Sequence, residues 1–370
     1  MSKIVNISLD ATQAADPQLT GIGVYSQRLI AALAALPPFQ HGSAFSLLLC
    51  FRPGPYWRWA RKQSWPRGAA LSPLLEFWPR PGRAGLFHGL NQRLTATPYP
   101  ARVVTIHDLF PLTSREYSKP EFQRHFSEVL ERTIARADRI IAVSGATRRQ
   151  LLQHTEALPE KIRVVHHGVD PPRIPSDSER NTFRERVLGL QPGEKYFLNV
   201  GTIQVRKNVL NLALALGRLP GYRLVLAGGE GYGAEQIRAR IEKEGLGSRV
   251  ILLGHTPAER LRLMYSTACA MVFPSLEEGF GMQILEAMNY GLPVITSNCS
   301  SMPEVAGDAA LLVDPLNVTQ IGEAMRRVAE DSVLAADLGR LGLELVKLFS
   351  WEKCARETCE VYQETLREKL

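Results

Sequence analysis

Long hydrophobic runs are missing from this sequence of 370 residues. Since a membrane-spanning helix needs about 20 consecutive apolar residues, none is predicted. The opening residues, MSKIVNISLDATQ, lack both a long apolar stretch and a small-residue cleavage site, so no secretory signal is predicted either. We therefore expect a cytoplasmic protein.

Paired cysteines and clustered acids are also scarce. The five cysteines lie apart without a Cys-x-x-Cys pair, which predicts reduced structural thiols. Hard cations such as Mg²⁺ need several carboxylate oxygens, and the nearest match, Asp177-Ser178-Glu179, lies in a predicted linker. We therefore expect neither a metal site nor a cofactor.

Acidic residues are fewer than basic ones. The sequence has 44 Lys and Arg against 37 Asp and Glu, for a formal charge of +7. This balance favours an anionic partner, which could be nucleic acid, a membrane surface or a phosphorylated substrate. The length of 370 residues suits two domains. Hydrophobic residues make up 45% of the chain, which is enough for each domain to bury a hydrophobic core.

Short β-branched runs alternate with helical patterns along the chain. Runs that are apolar on both faces predict parallel strands covered by helices. The predicted strands are 3–9, 45–51, 102–108, 139–144 and 161–168 in the first half, then 196–201, 223–229, 250–254, 270–275, 293–298 and 310–314. The fold class is therefore α/β, with two doubly wound sheets.

A proline-rich, charged stretch over residues 171–194 interrupts the alternation and predicts a linker. The predicted domains are 1–170 and 195–349, followed by a final helix at 350–370. Ligands of doubly wound sheets bind at the carboxyl ends of the strands, so the residues just after each strand are the candidate site.

The stretch FPSLEEGFGMQILEAMNYGLPVI (273–295) carries the strongest signal. Glu278 lies in the turn after a strand, and Glu286 lies in the helix that begins near Met282, so both carboxylates can face one cleft. Gly279 and Gly281 allow close backbone approach, and a helix N-terminus suits a phosphate. The alternative is a pair of solvated surface acids.

A second signal is NVGTIQVRKNVLNLALAL (199–216). Gly201 ends a strand, and Arg206 and Lys207 precede the next helix. Two cations beside a helix N-terminus predict a diphosphate site. A solvated basic turn is the alternative.

Three weaker features lie in the first half. His107 ends a strand and is either a site residue or a buried structural histidine. Gly21 and Gly23 predict a flexible loop that enters a helix and contacts phosphate or acceptor. The pair His166–His167 precedes the linker and predicts a hinge.

One glycine-rich motif is typical of a different class, the dinucleotide-binding proteins. Residues 229–234, GEGYGA, match a dinucleotide-binding G-x-G-x-x-A motif. Such a motif belongs after the first strand of its domain, with an acid at the end of the next strand, and neither condition holds. NAD binding is therefore not predicted.

Residues 51–83 combine aromatic and basic side chains. They contain four of the five tryptophans (Trp57, Trp59, Trp65 and Trp78) and seven Lys or Arg against one acid, Glu76. This composition favours docking on an anionic membrane surface. A loop packed on its own domain is the alternative, and no nucleic-acid-binding motif is present.

Several of these motifs, taken in order, resemble glycosyltransferase family four, a family of retaining, metal-independent GT-B enzymes. They are the Gly-Ile-Gly loop, His107-Asp108, Ala142-Val143-Ser144, Gly168-Val169-Asp170, Gly201-Thr202, Arg206-Lys207-Asn208 and Glu278-Gly-Phe-Gly with Glu286. The resemblance covers nearly the whole chain, except residues 51–83. His166 stands where we would expect asparagine.

The resemblance implies a GT-B architecture, with two Rossmann-like domains facing a cleft and a C-terminal crossover helix that braces the N-terminal domain. It implies that Arg206 and Lys207 hold the leaving diphosphate and that His107 contacts the donor sugar. Glu278 would bind the transferred sugar and Glu286 the ribose. The donor would also meet Gly21, Gly23, Gly201, Thr202, and the backbone N–H groups of Phe280, Gly281 and Met282.

The implied activity is transfer of a hexose from a nucleotide-diphosphate sugar to a glycan or polyprenyl-linked acceptor, with mannose from GDP-mannose expected. A UDP- or dTDP-sugar is the alternative donor, and a non-catalytic nucleotide-sugar-binding subunit is the alternative function. A retaining glycoside hydrolase is a third alternative, but its two acids must lie about 5–5.5 Å apart. Acids eight residues apart on a helix, as Glu278 and Glu286 would be, lie roughly 12 Å apart, which is too far for that role.

Overall fold

A computed structural model describes residues 4–40, 43–75 and 84–369. These residues form two compact units. The first unit takes the described residues within 1–113, 120–168 and 349–370, and the second takes 114–119 and 169–348. Residues 171–194, predicted as a linker, group with the second unit.

A parallel seven-stranded sheet in the order β3-β2-β1-β4-β5-β6-β7 forms the centre of the first unit. Its strands are β1 (Val5–Asp10), β2 (Phe45–Phe51), β3 (Ala70–Pro73), β4 (Ala84–Gly89), β5 (Ala101–Ile106), β6 (Arg139–Ala142) and β7 (Ile162–Val164). Prediction from sequence misses β3 and β4. The first is short and ends in proline, and the second contains two glycines and no β-branched residue, so neither has a strong strand signal.

Helices cover this sheet on both faces, each with its own apolar core. They are α1 (Gly21–Ala35), α2 (Pro53–Arg58), α3 (Phe110–Thr113), α4 (Pro120–Arg136) and α5 (Gly145–His154). Apolar burial of this kind is the main stabilising term in folding.

The C-terminal helix also belongs to the first unit, as predicted. Of the fourteen α-helices in the described residues, α14 (Trp351–Lys369) packs against α1 and the central strands. Its apolar face contributes Cys354, Ala355, Val361 and Tyr362 to the core. Lys369 pairs with Asp138 at 2.9 Å, which fixes the end of the helix against the sheet.

Residues 51–75 are only partly exposed. Trp59 and Trp65 pack against the core of the first unit, and the indole N–H of Trp65 donates to the Ala60 carbonyl at 2.8 Å. Trp57 is 60% exposed, with the Arg61 guanidinium 4.9 Å from its ring centroid. Trp78 and Glu76 lie outside the described residues. Trp59 and Trp65 therefore fit the alternative of a loop packed on its own domain.

A parallel six-stranded sheet in the order β10-β9-β8-β11-β12-β13 forms the centre of the second unit. All six strands were predicted: β8 (Lys195–Val200), β9 (Tyr222–Ala227), β10 (Val250–Leu252), β11 (Ala270–Phe273), β12 (Val294–Ser297) and β13 (Ala310–Val313). The helices are α6 (Asp177–Thr182), α7 (Val209–Leu216), α8 (Ala234–Lys243), α9 (Ala258–Tyr265), α10 (Met282–Asn289), α11 (Met302–Ala306), α12 (Val318–Glu330) and α13 (Ser332–Leu345). In the described part of the chain, no helix combines the length and apolar character needed to cross a membrane.

Candidate functional site

The loops that follow β8 and β11 are tied together in the second unit. The Leu276 N–H donates to the Arg206 carbonyl at 2.8 Å. Asn208 has a left-handed backbone (φ 56°), and its buried amide donates to the carbonyls of Pro274 at 2.9 Å and Pro315 at 2.7 Å. These bonds fix the cations next to the acidic turn, because both loops share one set of anchors.

Arg206, Lys207 and Glu278 form a buried charge cluster there. A guanidinium nitrogen of Arg206 lies 2.9 Å from one Glu278 oxygen, and the Lys207 ammonium lies 2.6 Å from the other. Each of the three side chains is 8% exposed. Arg206 also donates to the Glu277 carbonyl, and Lys207 lies 4.7 Å from the Phe273 ring centroid. The alternatives of a solvated basic turn and a solvated acid are therefore wrong.

This cluster keeps Glu278 ionised. Burial alone would raise the pKa of its carboxyl, but the charges of Arg206 and Lys207 outweigh burial and lower that pKa to about 2. Within this trio two cations face one carboxylate, and all three side chains are buried. Charges interact more strongly in a buried site than at the surface, so these two cations can attract an anionic ligand.

Two serines that the sequence motifs did not single out hold the turn at Glu278. The Ser300 hydroxyl accepts from the Glu278 N–H at 3.1 Å and donates to the Glu278 carbonyl at 2.7 Å. The single proton of the Ser301 hydroxyl is shared between the carbonyl oxygens of Glu278 and Phe280, which lie 3.0 and 2.9 Å from Oγ. Their position directly after β12 was the available signal, because strand carboxyl ends meet at one edge of the sheet.

The helix α10 begins as the sequence predicts, at Met282. Gly281 caps it in a left-handed conformation (φ 100°) that residues with side chains rarely adopt. Phe280 is buried beside it. The first turn of the helix and its dipole therefore lie next to the Glu278 cluster.

Glu286 lies further along α10 with a different partner. The Tyr265 hydroxyl donates to its carboxylate at 2.7 Å. Burial raises the pKa of Glu286, and the bond from Tyr265 partly opposes that rise. The Tyr265 ring stacks on Tyr290 at 5.7 Å. Tyr265 was not identified from sequence, because nothing in α9 marks it as a partner of α10.

The glycine turn after β8 lies against the loop after β9. A Cβ on Gly228 would lie 2.0 Å from the Gly201 carbonyl oxygen, so a side chain there would push the loops apart. Gly201 itself (φ 144°) approaches the Lys207 side chain, and Thr202 is exposed at the surface of the turn.

Tyr117 is a further residue near the cluster that the sequence did not reveal. It belongs to the segment 114–119, which packs in the second unit. Burial, followed by the charge of Glu277, raises the pKa of Tyr117, while Arg206 acts in the opposite direction. Its phenol therefore remains protonated near Arg206.

In the first unit, His107 follows β5 and is buried. Its Nε2 lies 2.8 Å from the Leu90 carbonyl, which requires a proton on that nitrogen. Burial lowers the pKa of His107 to about 4, so the imidazole is neutral near pH 7. Its ring meets Tyr25 edge-on at 4.8 Å and lies 5.5 Å from His167.

A buried hydrogen-bond chain lies next to His107 and was not predicted. His88 on β4 contacts the Tyr362 hydroxyl through Nδ1 at 2.6 Å and the Thr105 hydroxyl through Nε2 at 2.8 Å. Thr105 in turn contacts the Tyr25 hydroxyl at 3.0 Å. The chain joins α14, β4, β5 and α1, and it escaped prediction because β4 itself was missed.

The predicted glycine loop is part of a helix. Gly21 and Gly23 form the first turn of α1, which Thr20 caps by accepting from the Gly23 N–H at 3.4 Å. A Cβ on Gly23 would lie 2.9 Å from the Gln13 carbonyl oxygen. The prediction is therefore corrected: Gly23 is small because the helix packs tightly on the preceding turn.

Two parallel sheets in series, each with helices on both faces, place the chain in the Rossmann-like class of α/β proteins. Family models match both parts: "Glycosyltransferase Family 4" over residues 39–173 and "Glycosyl transferases group 1" over residues 181–343. The O-antigen chain mannosyltransferase B of Escherichia coli is 30% identical, across 95% of this chain and 98% of that one. The protein belongs to glycosyltransferase family four.

The chain is also similar to other proteins. A D-inositol 3-phosphate glycosyltransferase of Nocardioides sp. is 31% identical over 63% of this chain and 55% of its own. Among solved structures, sucrose-phosphate synthase from Thermosynechococcus elongatus aligns with a TM-score of 0.76 at 22% identity, over 98% of this chain and 100% of that one. HepE of Anabaena, in complex with UDP-glucose, aligns with a TM-score of 0.75 at 17% identity, over 98% of this chain and 100% of that one. The fold is the GT-B fold of these enzymes.

Proposed function

We propose that this glycosyltransferase moves mannose from GDP-mannose to a glycan or polyprenyl-linked acceptor in polysaccharide or glycolipid biosynthesis, with retention of the anomeric configuration. The buried pair Arg206–Lys207 carries the proposal, because it is a fixed positive site beside a helix N-terminus. The choice of mannose is supported by the mannosyltransferase relative that matches along nearly its whole length.

The two cations would stabilise the departing diphosphate. Breaking a sugar–phosphate bond builds negative charge on the leaving group, and buried, preorganised donors act on that charge more strongly than solvated ones. Removal of one such donor typically costs about 2.7–4 kcal/mol of transition-state stabilisation. The first turn of α10 adds a favourable dipole on the same side.

Glu278 would change partners when the donor binds. In the structure its carboxylate is paired with both Arg206 and Lys207. An incoming diphosphate would take over these cations, and the carboxylate would then accept hydrogen bonds from hydroxyls of the transferred sugar. Backbone N–H groups of Phe280, Gly281 and Met282 would assist at the same place.

Glu286 would bind the ribose hydroxyls, with Tyr265 holding the carboxylate in position. Gly201 and Thr202 would line the diphosphate side. Gly21 and Gly23 would present the N-terminus of α1 to the donor or acceptor. These roles follow from family membership applied to matching positions of this chain.

His107 would contact the donor sugar near the reacting carbon. Because Nε2–H is committed to the Leu90 carbonyl, Nδ1 is the nitrogen left to accept a hydrogen bond from a sugar hydroxyl. No protein nucleophile is required, since the leaving phosphate can accept the proton of the acceptor hydroxyl. NMR of the product made from α-linked donor tests retention: a β-linked product would contradict it.

The reaction would proceed without a metal ion, because Arg206 and Lys207 supply the positive charge that a cation would otherwise supply. Turnover should be unchanged in excess EDTA. Complete inhibition by EDTA that Mg²⁺ or Mn²⁺ reverses would overturn this mechanism.

The nucleotide is tested by thermal shift with GDP, UDP, dTDP and their sugars. A ligand at about 100 times its dissociation constant should add about 2.7 kcal/mol of stability. Stabilisation by UDP or dTDP alone would replace the GDP assignment. Release of free sugar from the donor separates an enzyme from a non-catalytic subunit, which would bind the donor without cleaving it.

Exposed residues of 51–75 are a proposed contact with an anionic membrane surface. Trp57 projects beside the exposed cations Arg58, Arg61 and Lys62. Each basic residue near such a surface contributes about 1 kcal/mol, and salt weakens the attraction. Co-sedimentation with anionic vesicles should fall in Trp57→Ala/Arg61→Ala but not in the control Phe122→Ala/Arg124→Ala. Equal sedimentation of both variants would exclude this patch.

A further inference from the structure

A cavity lies beside the charge cluster and is not part of the site described above. It has a volume of about 640 Å³, and its walls come from the loops after four strands of the second unit and from the segment 114–119. This volume falls within the roughly 300–1,000 Å³ of typical ligand sites. Val205 and Asn208, which flank the two cations, also form part of its wall.

The walls are held in place by backbone hydrogen bonds. The Val205 N–H donates to the Tyr232 carbonyl at 3.1 Å, and the Gly231 N–H donates to the Ile203 carbonyl at 2.9 Å. Gly233 has a left-handed backbone (φ 83°), and a Cβ there would lie 2.6 Å from the Val205 side chain. The cavity is therefore preformed, which lowers the entropic cost of filling it.

The side chains that line the cavity disfavour an anionic ligand. None of the described residues that line the cavity carries a positive charge, and one of them, Glu116, is a carboxylate. A phosphate or a second nucleotide would meet no cationic side chain there, only the first turns of α7 and α8. The desolvation cost of placing an anion beside the Glu116 carboxylate would oppose binding.

The lining instead combines apolar surface with hydrogen-bonding groups. Tyr232 is 41% exposed and Leu316 73% exposed, which gives an apolar platform open to solvent. Gln236 and Asn211 add side-chain amides, and Glu116 adds a carboxylate acceptor. A sugar ring has an apolar C–H face and a rim of hydroxyls, so it can pack on the ring of Tyr232 while its hydroxyls meet these groups.

We propose that this cavity is a subsite for sugar residues of the acceptor chain, remote from the residue that receives the new sugar. The inference rests on the proposed function, in which the acceptor is a glycan. The cavity lies next to the loop that carries Arg206 and Lys207, so a chain extended from the reaction centre can reach it. The enzyme would then favour long acceptors over short ones.

The test uses the full chain with GDP-mannose as donor and mannose oligosaccharides of two and five residues as acceptors. Wild-type protein should show a lower KM for the pentasaccharide. In Tyr232→Ala and in Leu316→Ala that KM should rise about tenfold, with the disaccharide KM and the donor KM unchanged. The control Leu348→Ala, also on the second unit and 61% exposed, should leave all three values unchanged.

Other outcomes separate the subsite from the proposed function. If the wild-type protein neither binds GDP nor cleaves the donor, the proposed function fails. If transfer proceeds but the two acceptors have equal KM values, or Tyr232→Ala leaves the pentasaccharide KM unchanged, the subsite is wrong. Competition against the pentasaccharide by a prenyl phosphate that carries no sugar, lost in Leu316→Ala, would assign the cavity to a lipid chain and overturn the glycan proposal.

Discussion

The carboxyl ends of the two parallel sheets carry side chains of different kinds. In the first unit two buried histidines are neutral: His88 bonds to two hydroxyls, and the Nε2–H of His107 donates to a carbonyl. In the second unit the buried cluster is charged, with Glu278 between Arg206 and Lys207. One architecture therefore supports two kinds of polar site at the same edge of the sheet.

The difference follows from what burial costs each type of group. A neutral imidazole with its hydrogen bonds satisfied is cheap to bury and stiffens the elements that it joins. A buried ion cluster contributes little net stability, because desolvation offsets the attraction between its members. The charged cluster of the second unit is therefore better explained by an anionic ligand than by stability.

The largest expected effect comes from removing both cations. Arg206→Ala/Lys207→Ala should lower turnover by several orders of magnitude, since two donors to the leaving diphosphate are lost. The variant should also lose about 3–5 kcal/mol of stability, because Glu278 is left buried without a partner. Steady-state kinetics and urea unfolding give the two values.

Adding Glu278→Gln to that double variant should restore most of the stability but none of the turnover. Arg326→Ala, an exposed cation on α12, is the matched control and should behave as wild type. Near-normal turnover in the folded double variant would remove the diphosphate assignment.

The next largest effects should distinguish the roles of Glu278 and Glu286 in the second unit. Glu278→Gln should lower turnover by about two to three orders of magnitude and yet bind GDP as tightly as wild type or more tightly, since a negative charge beside the diphosphate is gone. Glu286→Ala should weaken GDP binding about tenfold through loss of the ribose contact. Calorimetry with GDP measures both, and equal losses of affinity would contradict the division of roles.

Acid should affect the first unit before the second. Folding lowers the pKa of His107 from 6.5 to about 4 and that of His88 from 6.5 to about 3. As the pH falls, the histidines of the unfolded chain take up protons before those of the folded chain. The stability that the neutral histidines contribute is therefore complete above pH 6.5 and declines as the pH falls towards 4. The stability that ionised Glu278 contributes declines only below pH 4.5, and it is lost as the pH falls through about 2, the pKa of Glu278 in the folded protein.

Hydrogen exchange at about pH 7.5 and about pH 5, corrected for the intrinsic exchange rate, tests this order. Peptides from β4 and β5 should lose protection, while peptides from β8 and β9 should keep it. Loss of protection in the second unit first would show that the buried histidines do not set the acid response.

The smallest effects come from a matched pair of tyrosines. Tyr362→Phe removes the partner of His88 Nδ1 and should cost about 1–3 kcal/mol of stability without changing GDP affinity. Tyr265→Phe removes the donor to Glu286, so the pKa of Glu286 should rise further and GDP affinity should fall. Thermal unfolding with and without GDP distinguishes them, and a fall in GDP affinity in Tyr362→Phe would break the contrast.

Much of the fold could be predicted from the chain because burial on both faces of a parallel strand imposes continuous apolar runs. All six strands of the second sheet follow that rule, as YFLNV and AMVF illustrate. β4 does not, since its sequence AGLFHG is short of β-branched residues and takes its place through pairing with β1 and β5. Because β4 was not predicted, His88, the centre of the buried hydrogen-bond chain in the first unit, was not predicted either.

The sequence by itself determined the alternation of strands and helices and the start of α10 after Gly281. It also placed Arg206, Lys207 and Glu278 in the loops that follow strands, and Glu286 within α10. These are local properties, set by hydrophobic period, glycine conformation and the order of residues along one strand and its loop. Tertiary structure alone decided that Glu278 lies between the two cations, that Ser300 and Ser301 hold its turn, and that Tyr265 rather than another group meets Glu286. Partners that distant in the chain are selected by the packing of strands side by side, which no local pattern records.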